Sequence, residues 1–365
     1  MAYDQKKIVE ALRAFERGEI VVVMDDDGRE NEGDLIVAAV HCTPEKMAFI
    51  VRHTSGIVCA PMTKDESRRL HLTPMVADND SAHTTAFTVS VDFKHGTTTG
   101  ISAEDRTLTV RNLANGNVGA ADFVRPGHIF PLIAREGGVL MRSGHTEAAV
   151  DLCKLAGLPP VGVICELVND NGSVMRGPQV TAFAETHGLK QVSVADLIAY
   201  RQRKETLIER IETFEIDTPG GKAQAITYML PWENMHHLAI VFGDIRDGED
   251  VPVRLHTENV VADVFGRSHK LDSVMQMLGE RQRGVIVYLR EGSVGVASEV
   301  RNRRMPDREE HEEARRREEE WRQIGLGAQI LKDLGISSIN LIASRERHYV
   351  GLEGFGIRIA RTEIL

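Results

Sequence analysis

The chain has 365 residues, a formal net charge of −10 and 27% charged residues. That length suits two domains of roughly 150 to 200 residues each. The acidic balance argues against nucleic acid as a partner, because nucleic-acid binding depends on Lys and Arg that neutralise phosphates. No apolar run reaches the roughly 18 residues of a membrane helix, and the N-terminus has no signal-peptide core. We therefore expect a cytoplasmic protein with no membrane partner.

The first predicted elements surround an acidic loop. Residues 5–17 carry apolar side chains at Ile8, Leu12 and Phe15, which is helical spacing, and Gly18 follows as a stop. EIVVVM and LIVAAV then predict two strands, with the acidic residues between them.

Strands and helices continue to alternate through the first half. TAFTVSVDF (85–93) predicts a β-rich segment, HGTTTGISAEDR a polar loop and RTLTVRNLANG a helix. TEAAVDLCKLAG predicts a helix that ends at Gly157, and VGVICELV (161–168) predicts a strand. Residues 189–210 predict one long helix that becomes strongly charged at RQRKE, where we place the domain boundary.

The predicted architecture is an α/β, or layered α+β, domain over residues 1–205, followed by a smaller α/β domain over 206–365. HLAIVFGDI, VPVRLHTENVV and GVIVYLREG are the strand candidates of the second domain. Residues 301–322 carry balanced charges at helical spacing, which predicts a solvated helix or a mobile insertion rather than a nucleic-acid arm.

The acidic loop concentrates six carboxylates between Asp25 and Asp34. Crowded carboxylates raise one another's pKa and favour a bound cation. A calcium loop is excluded, because neither Gly28 nor Gly33 sits at the sixth position of a suitable pattern. A solvated acidic turn is the structural alternative, but it does not explain Arg29 inside the cluster. The loop therefore indicates a metal, a phosphosugar or both.

MRSGHTEAAVD is the second candidate, at the predicted start of a helix. Backbone N–H groups and the positive end of the helix dipole are exposed there, so Arg142 and the Thr146 hydroxyl would complete a phosphate cradle. His145 lies at the same point. Taken alone, such a stretch is more often only a helix cap.

Two isolated polar residues raise a similar question. Glu166 interrupts the apolar strand VICEL, and a lone buried carboxylate must be paired or lie at a site. His128 lies in RPGHIFPL. For either residue alone, structural and functional roles are about equally plausible.

Together, DDDGRENEGD, HGTTTGISAEDR, RPGHIFPL, RSGHTEAAVDL and GVICEL resemble the 3,4-dihydroxy-2-butanone 4-phosphate synthase family of riboflavin biosynthesis, over residues 5 to 202. The resemblance implies conversion of D-ribulose 5-phosphate to L-3,4-dihydroxy-2-butanone 4-phosphate and formate. It also implies a homodimer with active sites at the subunit interface, and Mg²⁺ or Mn²⁺ as cofactor.

The resemblance also implies roles for individual residues. Glu30 and His145 would be metal ligands, and His128 and Glu166 would be catalytic. The substrate would be held by the following residues, with backbone N–H groups contributing: Arg29, Glu30, Asp34, Arg142, Ser143, Gly144, His145, Thr146 and Glu166.

Among the carboxylates, Asp34 is our first candidate for removing the first proton and Glu32 our second. Cys59 also falls in a substrate-facing stretch.

Residues 208–365 resemble GTP cyclohydrolase II, but without its zinc ligands. Asn259, Lys270 and Asp272 stand where that family has cysteines, and no cysteine follows Cys165. Arg322 matches a catalytic position, but Glu320 replaces its partner Asp, and residues 290–295 and 343–347 also depart from the family pattern.

We therefore expect no zinc and no GTP cyclohydrolase activity, and we expect the second domain to be a packing or dimerisation partner. A regulatory nucleotide site is the rival interpretation for that domain, and a different enzymatic activity is the third. For the whole chain, the alternatives are a bifunctional enzyme and a non-catalytic regulatory protein.

Overall fold

The computed structural model describes residues 5–25, 30–81, 84–231, 235–260, 263–264, 270–290, 324–343, 352 and 356–364. The chain divides into two compact units, Met1–Arg201 and Gln202–Leu365. Each unit is an α/β layer structure with a mixed sheet, so the predicted fold class is confirmed. Within the described ranges, no helix is both long enough and apolar enough to cross a membrane.

The described part of the first unit has seven α-helices and seven strands. The helices are α1 (Gln5–Glu16), α2 (Pro44–His53), α3 (Lys64–Arg69), α4 (Ala103–Leu113), α5 (His145–Leu155), α6 (Pro178–Thr186) and α7 (Val194–Lys204). The strands are β1 (Val21–Met24), β2 (Gly33–Ala38), β3 (Cys59–Met62), β4 (Val91–Phe93), β5 (Phe123–Ile133), β6 (Gly162–Glu166) and β7 (Lys190–Ser193).

The described strands of the first sheet run in the order β4-β5-β3-β6-β2-β1-β7. β1 pairs in parallel with β7 and β3 in parallel with β5, and the other neighbours are antiparallel. Helices α1 and α5 pack together, and α5 crosses β1, β2, β3 and β6. Apolar residues of α2, α4 and α6 join the buried core cluster that contains Val22, Leu35 and Val37. Because strand side chains alternate between faces, Asp34 lies on the face opposite Leu35, where α5 packs.

Sequence patterns located most of these elements. The predicted helix over 189–210 is wrong at both ends, because Lys190–Ser193 is strand β7, paired with β1, and β8 begins at Glu209. Hydrogen bonding to the neighbouring strand decides the conformation of these residues, although their apolar side chains have helical spacing. In the predicted β-rich segment, only Val91–Phe93 forms a strand, and residues 87 and 88 make isolated bridges.

The described part of the second unit has a second seven-stranded sheet in the order β14-β13-β11-β12-β10-β9-β8. Its strands are β8 (Glu209–Thr218), β9 (Gly221–Met229), β10 (His236–Gly243), β11 (Val251–Thr257), β12 (Arg283–Leu289), β13 (Ser338–Ala343) and β14 (Arg358–Ile364). Helix α8 (Lys270–Arg281) packs on β12, and residues 324–333 are also helical. The charged segment 301–322 lies outside the described residues.

Candidate active site

The acidic turn connects β1 to β2, and Asp25 organises it. Asp25 is 3% exposed, and its Oδ1 accepts a 2.9 Å hydrogen bond from the backbone N–H of Glu32. Its Oδ2 accepts a longer hydrogen bond, 3.2 Å, from the N–H of Glu30. The carboxylate therefore fixes how the chain enters β2. Residues 26–29, and with them the predicted substrate residue Arg29, lie outside the described residues.

Asp25, Glu30 and His145 form a group suited to a metal ion. Each contributes a ligand atom, and these atoms lie within 4.8 Å of one another. Two carboxylates and one imidazole offer the oxygen-rich donor set that Mg²⁺ and Mn²⁺ prefer. The sequence predicted Glu30 and His145 as ligands but missed Asp25, which is one of three consecutive aspartates.

His145 reaches the acidic turn because it is the first residue of α5. Gly144 is the N-cap and adopts an extended conformation, so no side chain of the cap covers the first amides of the helix. A side chain at residue 144 would also meet the Arg142 guanidinium and, at 2.8 Å, Oε2 of Glu147. A larger residue there would therefore displace the Arg142 and Glu147 side chains.

The predicted phosphate cradle lies at this helix start. Arg142, His145 and Thr146 are buried, and Ser143 is half-buried. The Arg142 guanidinium donates a 2.7 Å hydrogen bond to Oε2 of Glu147, which fixes its orientation beside the amides of α5. A cation and free amide donors at a helix N-terminus can bind a phosphate together.

Asp34 and Glu166 are direct neighbours across β2 and β6. Cross-strand pairs on one face have Cβ atoms about 4.5 to 5.5 Å apart, so the two carboxylates face the same space. Oδ1 of Asp34 lies 3.7 Å from Nδ1 of His145. Two of the three predicted catalytic carboxylates thus lie side by side, and one of them, Asp34, lies beside His145 of the Asp25, Glu30 and His145 group.

Glu166 has a partner that the sequence did not reveal. The Ser55 hydroxyl, from the loop after α2, donates a 2.8 Å hydrogen bond to its Oε2. The backbone N–H of Ser55 also donates to the carbonyl oxygen of Glu166. Because the two residues are 111 positions apart, no local pattern signals this contact.

Glu32 lies at the edge of the site and pairs with Arg176 at 3.1 Å. Burial raises the pKa of Glu32, the hydrogen bond from Arg176 lowers it, and the nearby charges of Glu30 and Asp25 raise it further, with a net rise. A carboxyl group with a raised pKa is suited to donating as well as accepting a proton.

Cys59 lies on β3 and is 3% exposed, next to Ile164 of β6. Burial and the charge of Glu166 raise the pKa of its thiol far above the usual value. Its Sγ contacts the carbonyl oxygen of Ile57 at 3.5 Å. The buried Cys59 thiol near Glu166 therefore loses its proton less readily than an exposed thiol.

His128 is separate from the other predicted residues. It lies on β5, and β3 and β6 stand between that strand and β2. At a strand spacing of about 4.8 Å, three steps place it about 14 Å from Asp34. Its Nδ1 is 2.7 Å from Oδ2 of Asp92, and its side chain is 41% exposed.

In the second unit, a hydrogen-bonded cluster around Asp263 includes the backbone of Asn259, one of the three positions where the resemblance would place a zinc ligand. Asp263 accepts hydrogen bonds from Nε2 of His256 (3.0 Å), the Tyr288 hydroxyl (2.9 Å) and the backbone N–H of Asn259 (2.9 Å). The His256 and Tyr288 rings stack with centroids 5.3 Å apart.

The other predicted departures fall at or beyond the limits of what the structure describes. Lys270 and Asp272 lie in the first turn of α8. Glu320, Arg322 and the segments 291–295 and 344–347 lie outside the described residues.

Two family models match the chain in order. Residues 9–200 match 3,4-dihydroxy-2-butanone 4-phosphate synthase, and residues 209–363 match GTP cyclohydrolase II.

Relatives that align along nearly the whole chain are named as bifunctional in one case and monofunctional in another. The chain is 47% identical to "Bifunctional riboflavin biosynthesis protein RIBA 1, chloroplastic" of Arabidopsis thaliana, over 96% of this chain and 67% of the relative. It is 46% identical to "Monofunctional riboflavin biosynthesis protein RIBA 2, chloroplastic" of the same plant, over 97% and 75%. "Riboflavin biosynthesis protein RibBA" of Bacillus cereus is 43% identical, over 97% and 91%.

Two solved structures extend the comparison. RibBX, described as a two-domain 3,4-dihydroxy-2-butanone 4-phosphate synthase from A. baumannii, is 34% identical with a TM-score of 0.76, covering 98% of this chain and 99% of that one. A 3,4-dihydroxy-2-butanone 4-phosphate synthase in complex with two magnesium ions is 48% identical with a TM-score of 0.53, covering 54% and 97%.

A relative binds two magnesium ions, and Asp25, Glu30 and His145 of this chain form a group suited to a metal ion. Both findings support magnesium as the cofactor of the first unit. The family model covers more than half of the chain, and the relatives align along nearly all of it. The chain is thus a member of the 3,4-dihydroxy-2-butanone 4-phosphate synthase family, a lyase of riboflavin biosynthesis with a GTP cyclohydrolase II-like second domain.

Proposed function

We propose that the first domain converts D-ribulose 5-phosphate into L-3,4-dihydroxy-2-butanone 4-phosphate and formate, with Glu30 and His145 as ligands of Mg²⁺ or Mn²⁺. The observation that carries this proposal is the meeting of Asp25, Glu30 and His145 within 4.8 Å, beside Asp34. When bound there, the cation would supply positive charge that stabilises an enediolate formed from the ketone.

The substrate phosphate would bind at the start of α5. The Arg142 guanidinium and the Thr146 hydroxyl would donate hydrogen bonds to it, and the amides of residues 145 and 146 would add the positive end of the helix dipole. Glu147 orients Arg142, so the guanidinium is already in place before the substrate arrives. Arg29, next to Glu30 in the sequence, would contact the sugar from the acidic turn.

Carboxylates near the Asp25, Glu30 and His145 group would transfer the protons. Asp34 is our first candidate for removing the first proton, because it lies beside His145, and Glu32 is the second. Glu166, held by Ser55, would act on the later steps that lose water and release formate. Each step requires an acid or base within hydrogen-bonding reach of the sugar.

This activity is tested by incubating the purified full chain with ribulose 5-phosphate, with and without Mg²⁺ or Mn²⁺, and measuring formate. We expect metal-dependent formate that is lost in Glu30→Ala and His145→Ala but retained in Lys190→Ala. Lys190 forms an exposed ion pair with Glu10, away from the group, so it is a matched surface control. Formate production that survives both ligand substitutions would refute the proposal.

The active unit would be a homodimer in which His128 acts in the partner's site. His128 is about 14 Å from Asp34 within one chain, at a strand spacing of about 4.8 Å. Three exposed apolar residues, Ile57, Ile101 and Val124, lie on or beside the elements around it. A second copy of the chain would cover these side chains and bring His128 to the other site.

Mixing two inactive variants tests the shared site. His128→Ala and His145→Ala homodimers should each be inactive, whereas random reassociation gives half heterodimers, each with one intact site, or about a quarter of wild-type activity. Activity that stays absent after verified subunit exchange would show that His128 and His145 act within one chain.

We propose that the second domain has no GTP cyclohydrolase activity and serves as a packing or dimerisation partner. Ring opening of GTP needs a metal-activated water, and the chain has no cysteine after Cys165 to hold zinc. Asp263, after β11, accepts hydrogen bonds from His256 and Tyr288, so hydrogen bonds hold this segment and no thiolate takes part. These contacts also support the proposal. Formation of a pyrimidine product from GTP with added Zn²⁺ would refute it and establish a bifunctional enzyme.

Two further parts of the proposal concern organisation. The domain limits, 1–205 and 206–365, are supported by the compact units that divide after Arg201 and by family matches that end at 200 and resume at 209. A cytoplasmic location stays a prediction from the sequence. Fractionation of cells that express the protein from its own gene would test it.

A further inference from the structure

The position of Arg142 depends on the segment before it. The backbone N–H groups of Met141 and Arg142 both donate to the carbonyl oxygen of Gly138, at 2.9 and 3.0 Å. Gly137 and Gly138 both have positive φ, which allows the chain to fold back onto α5. Any shift of Gly138 would therefore move Arg142.

Gly138 is in turn held against Asp151 of α5. The N–H of Val139 donates a 2.8 Å hydrogen bond to Oδ2 of Asp151. A Cβ added to Gly138 would collide with the Asp151 carboxylate and lie 2.6 Å from Nη1 of Arg201. The backbone thus packs directly on the ion pair between these two side chains.

Arg201 completes this ion pair from α7, at the end of the first unit. Its Nη1 donates to Oδ2 of Asp151 at 2.8 Å and to the carbonyl oxygen of Gly137 at 2.7 Å. The side chains of Arg201 and Asp151 are 9% and 2% exposed. Burial raises the pKa of Asp151 to about 6 although the charge of Arg201 opposes the rise, so removing Arg201 would favour the neutral acid.

We propose that Arg201 is a positioning residue for the synthase reaction: through Asp151, Gly137 and Gly138, it holds the segment that places Arg142 for the substrate phosphate. The inference rests on the proposed function, which assigns Arg142 to the phosphate. Arg201 lies behind the segment and acts without touching the substrate. Its effect is on binding geometry, so KM should respond more than kcat.

Arg201→Met in the full chain tests this role. A displacement of about 1 Å in a binding group can cost about 100-fold, so we expect KM for ribulose 5-phosphate to rise at least about 10-fold with kcat within about 3-fold of wild type. Arg201→Lys keeps the charge next to Asp151 and should recover much of the affinity.

Arg69→Met is the matched control. Arg69 also braces a loop of the first unit, by donating to Glu66 and to the carbonyl oxygens of Leu113 and Val118, and it takes no part in the site. It should lower stability without changing KM. An equal rise of KM in Arg69→Met would show that Arg201 acts only through general stability and would overturn the inference.

Binding of inorganic phosphate, measured by calorimetry, gives a readout that does not need turnover. The dissociation constant should rise in Arg201→Met in parallel with KM. If the wild type forms no formate, the proposed function fails, yet the phosphate measurement still decides the role of Arg201. A folded Arg201→Met, or Asp151→Asn if the former does not fold, with phosphate affinity within twofold of wild type would refute the inference.

Discussion

The hydroxyl of Ser55 donates a 2.8 Å hydrogen bond to Oε2 of Glu166. Ser55 also accepts a hydrogen bond from the N–H of Ile57, so its hydroxyl is held between its own loop and the end of β6. The Arg106 guanidinium supports the same loop through the carbonyl oxygen of Gly56. The Ser55 hydroxyl thereby orients the Glu166 carboxylate beside Asp34.

Ser55→Ala should lower kcat for formate production. A hydrogen bond to a charged group contributes about 1.5 to 3 kcal/mol, and loss of about 1.4 kcal/mol from transition-state stabilisation is tenfold in rate. We expect a fall of about tenfold or more, measured by steady-state kinetics. Ser55→Thr keeps the hydroxyl and should remain close to wild type. Equal losses in both variants would contradict the proposed hydrogen-bonding role.

Asp25→Asn should weaken metal binding without unfolding the protein. The substitution removes a negative charge from the Asp25, Glu30 and His145 group and disturbs the hydrogen bonds that set the turn. We expect the Mg²⁺ concentration for half-maximal formate production to rise about tenfold or more, as when groups that orient metal ligands are removed. Asp65→Asn, in an exposed ion pair with Arg68, is the control and should leave the titration unchanged.

Asp263→Ala should destabilise the second domain. It removes three hydrogen bonds, to His256, Tyr288 and the N–H of Asn259, and each is worth about 1 kcal/mol. We expect the free energy of unfolding to fall by about 2 to 4 kcal/mol in denaturant titrations that follow this domain. Asp244→Ala, in the exposed pair with Arg246, should not alter the transition. Destabilisation by both variants to the same extent would count against a specific role for Asp263.

The stability of the first domain should fall between about pH 6.5 and pH 5, partly through His53. His53 of α2 packs with Phe49, Phe183 and His187, and the His53 and His187 rings are 5.0 Å apart. Burial lowers the pKa of His53, and the neighbouring charges of His187 and Arg52 lower it further. The unfolded chain therefore binds the proton more readily, so stability is complete above the ordinary histidine pKa and is lost as the pH falls.

His53→Phe removes this proton uptake and should flatten the pH dependence of the melting temperature between pH 7.5 and 5. His71→Asn, at an exposed turn with positive φ, should keep the wild-type slope. An unchanged slope in His53→Phe would mean that other groups account for the acid sensitivity.

The sequence was most informative where the local pattern and the chemistry coincide. The apolar runs on either side of the acidic residues predicted β1 and β2, and the Gly144-His145-Thr146 stretch predicted the start of α5. Since α5 packs across β1 and β2, these two local features meet, and Glu30 and His145 come together as expected.

Other contacts depend on strand order and register, which a single sequence does not encode locally. Asp25 could not be distinguished from Asp26 and Asp27 until the end of β1 was known. Ser55 and Arg176 reach their carboxylates from distant loops. Strand β7 was predicted as helix because the helical spacing of the following residues continues back into the strand. Only the pairing of β7 with β1 reveals the strand.

The carboxylate of Asp263 accepts three hydrogen bonds and so connects the loop after β11 to β12. Every group in this connection belongs to the protein chain. Folding of this domain would then be independent of the zinc available in the cell. A cell starved of zinc would still assemble the full chain, and its capacity to make the four-carbon precursor would follow the supply of Mg²⁺ or Mn²⁺.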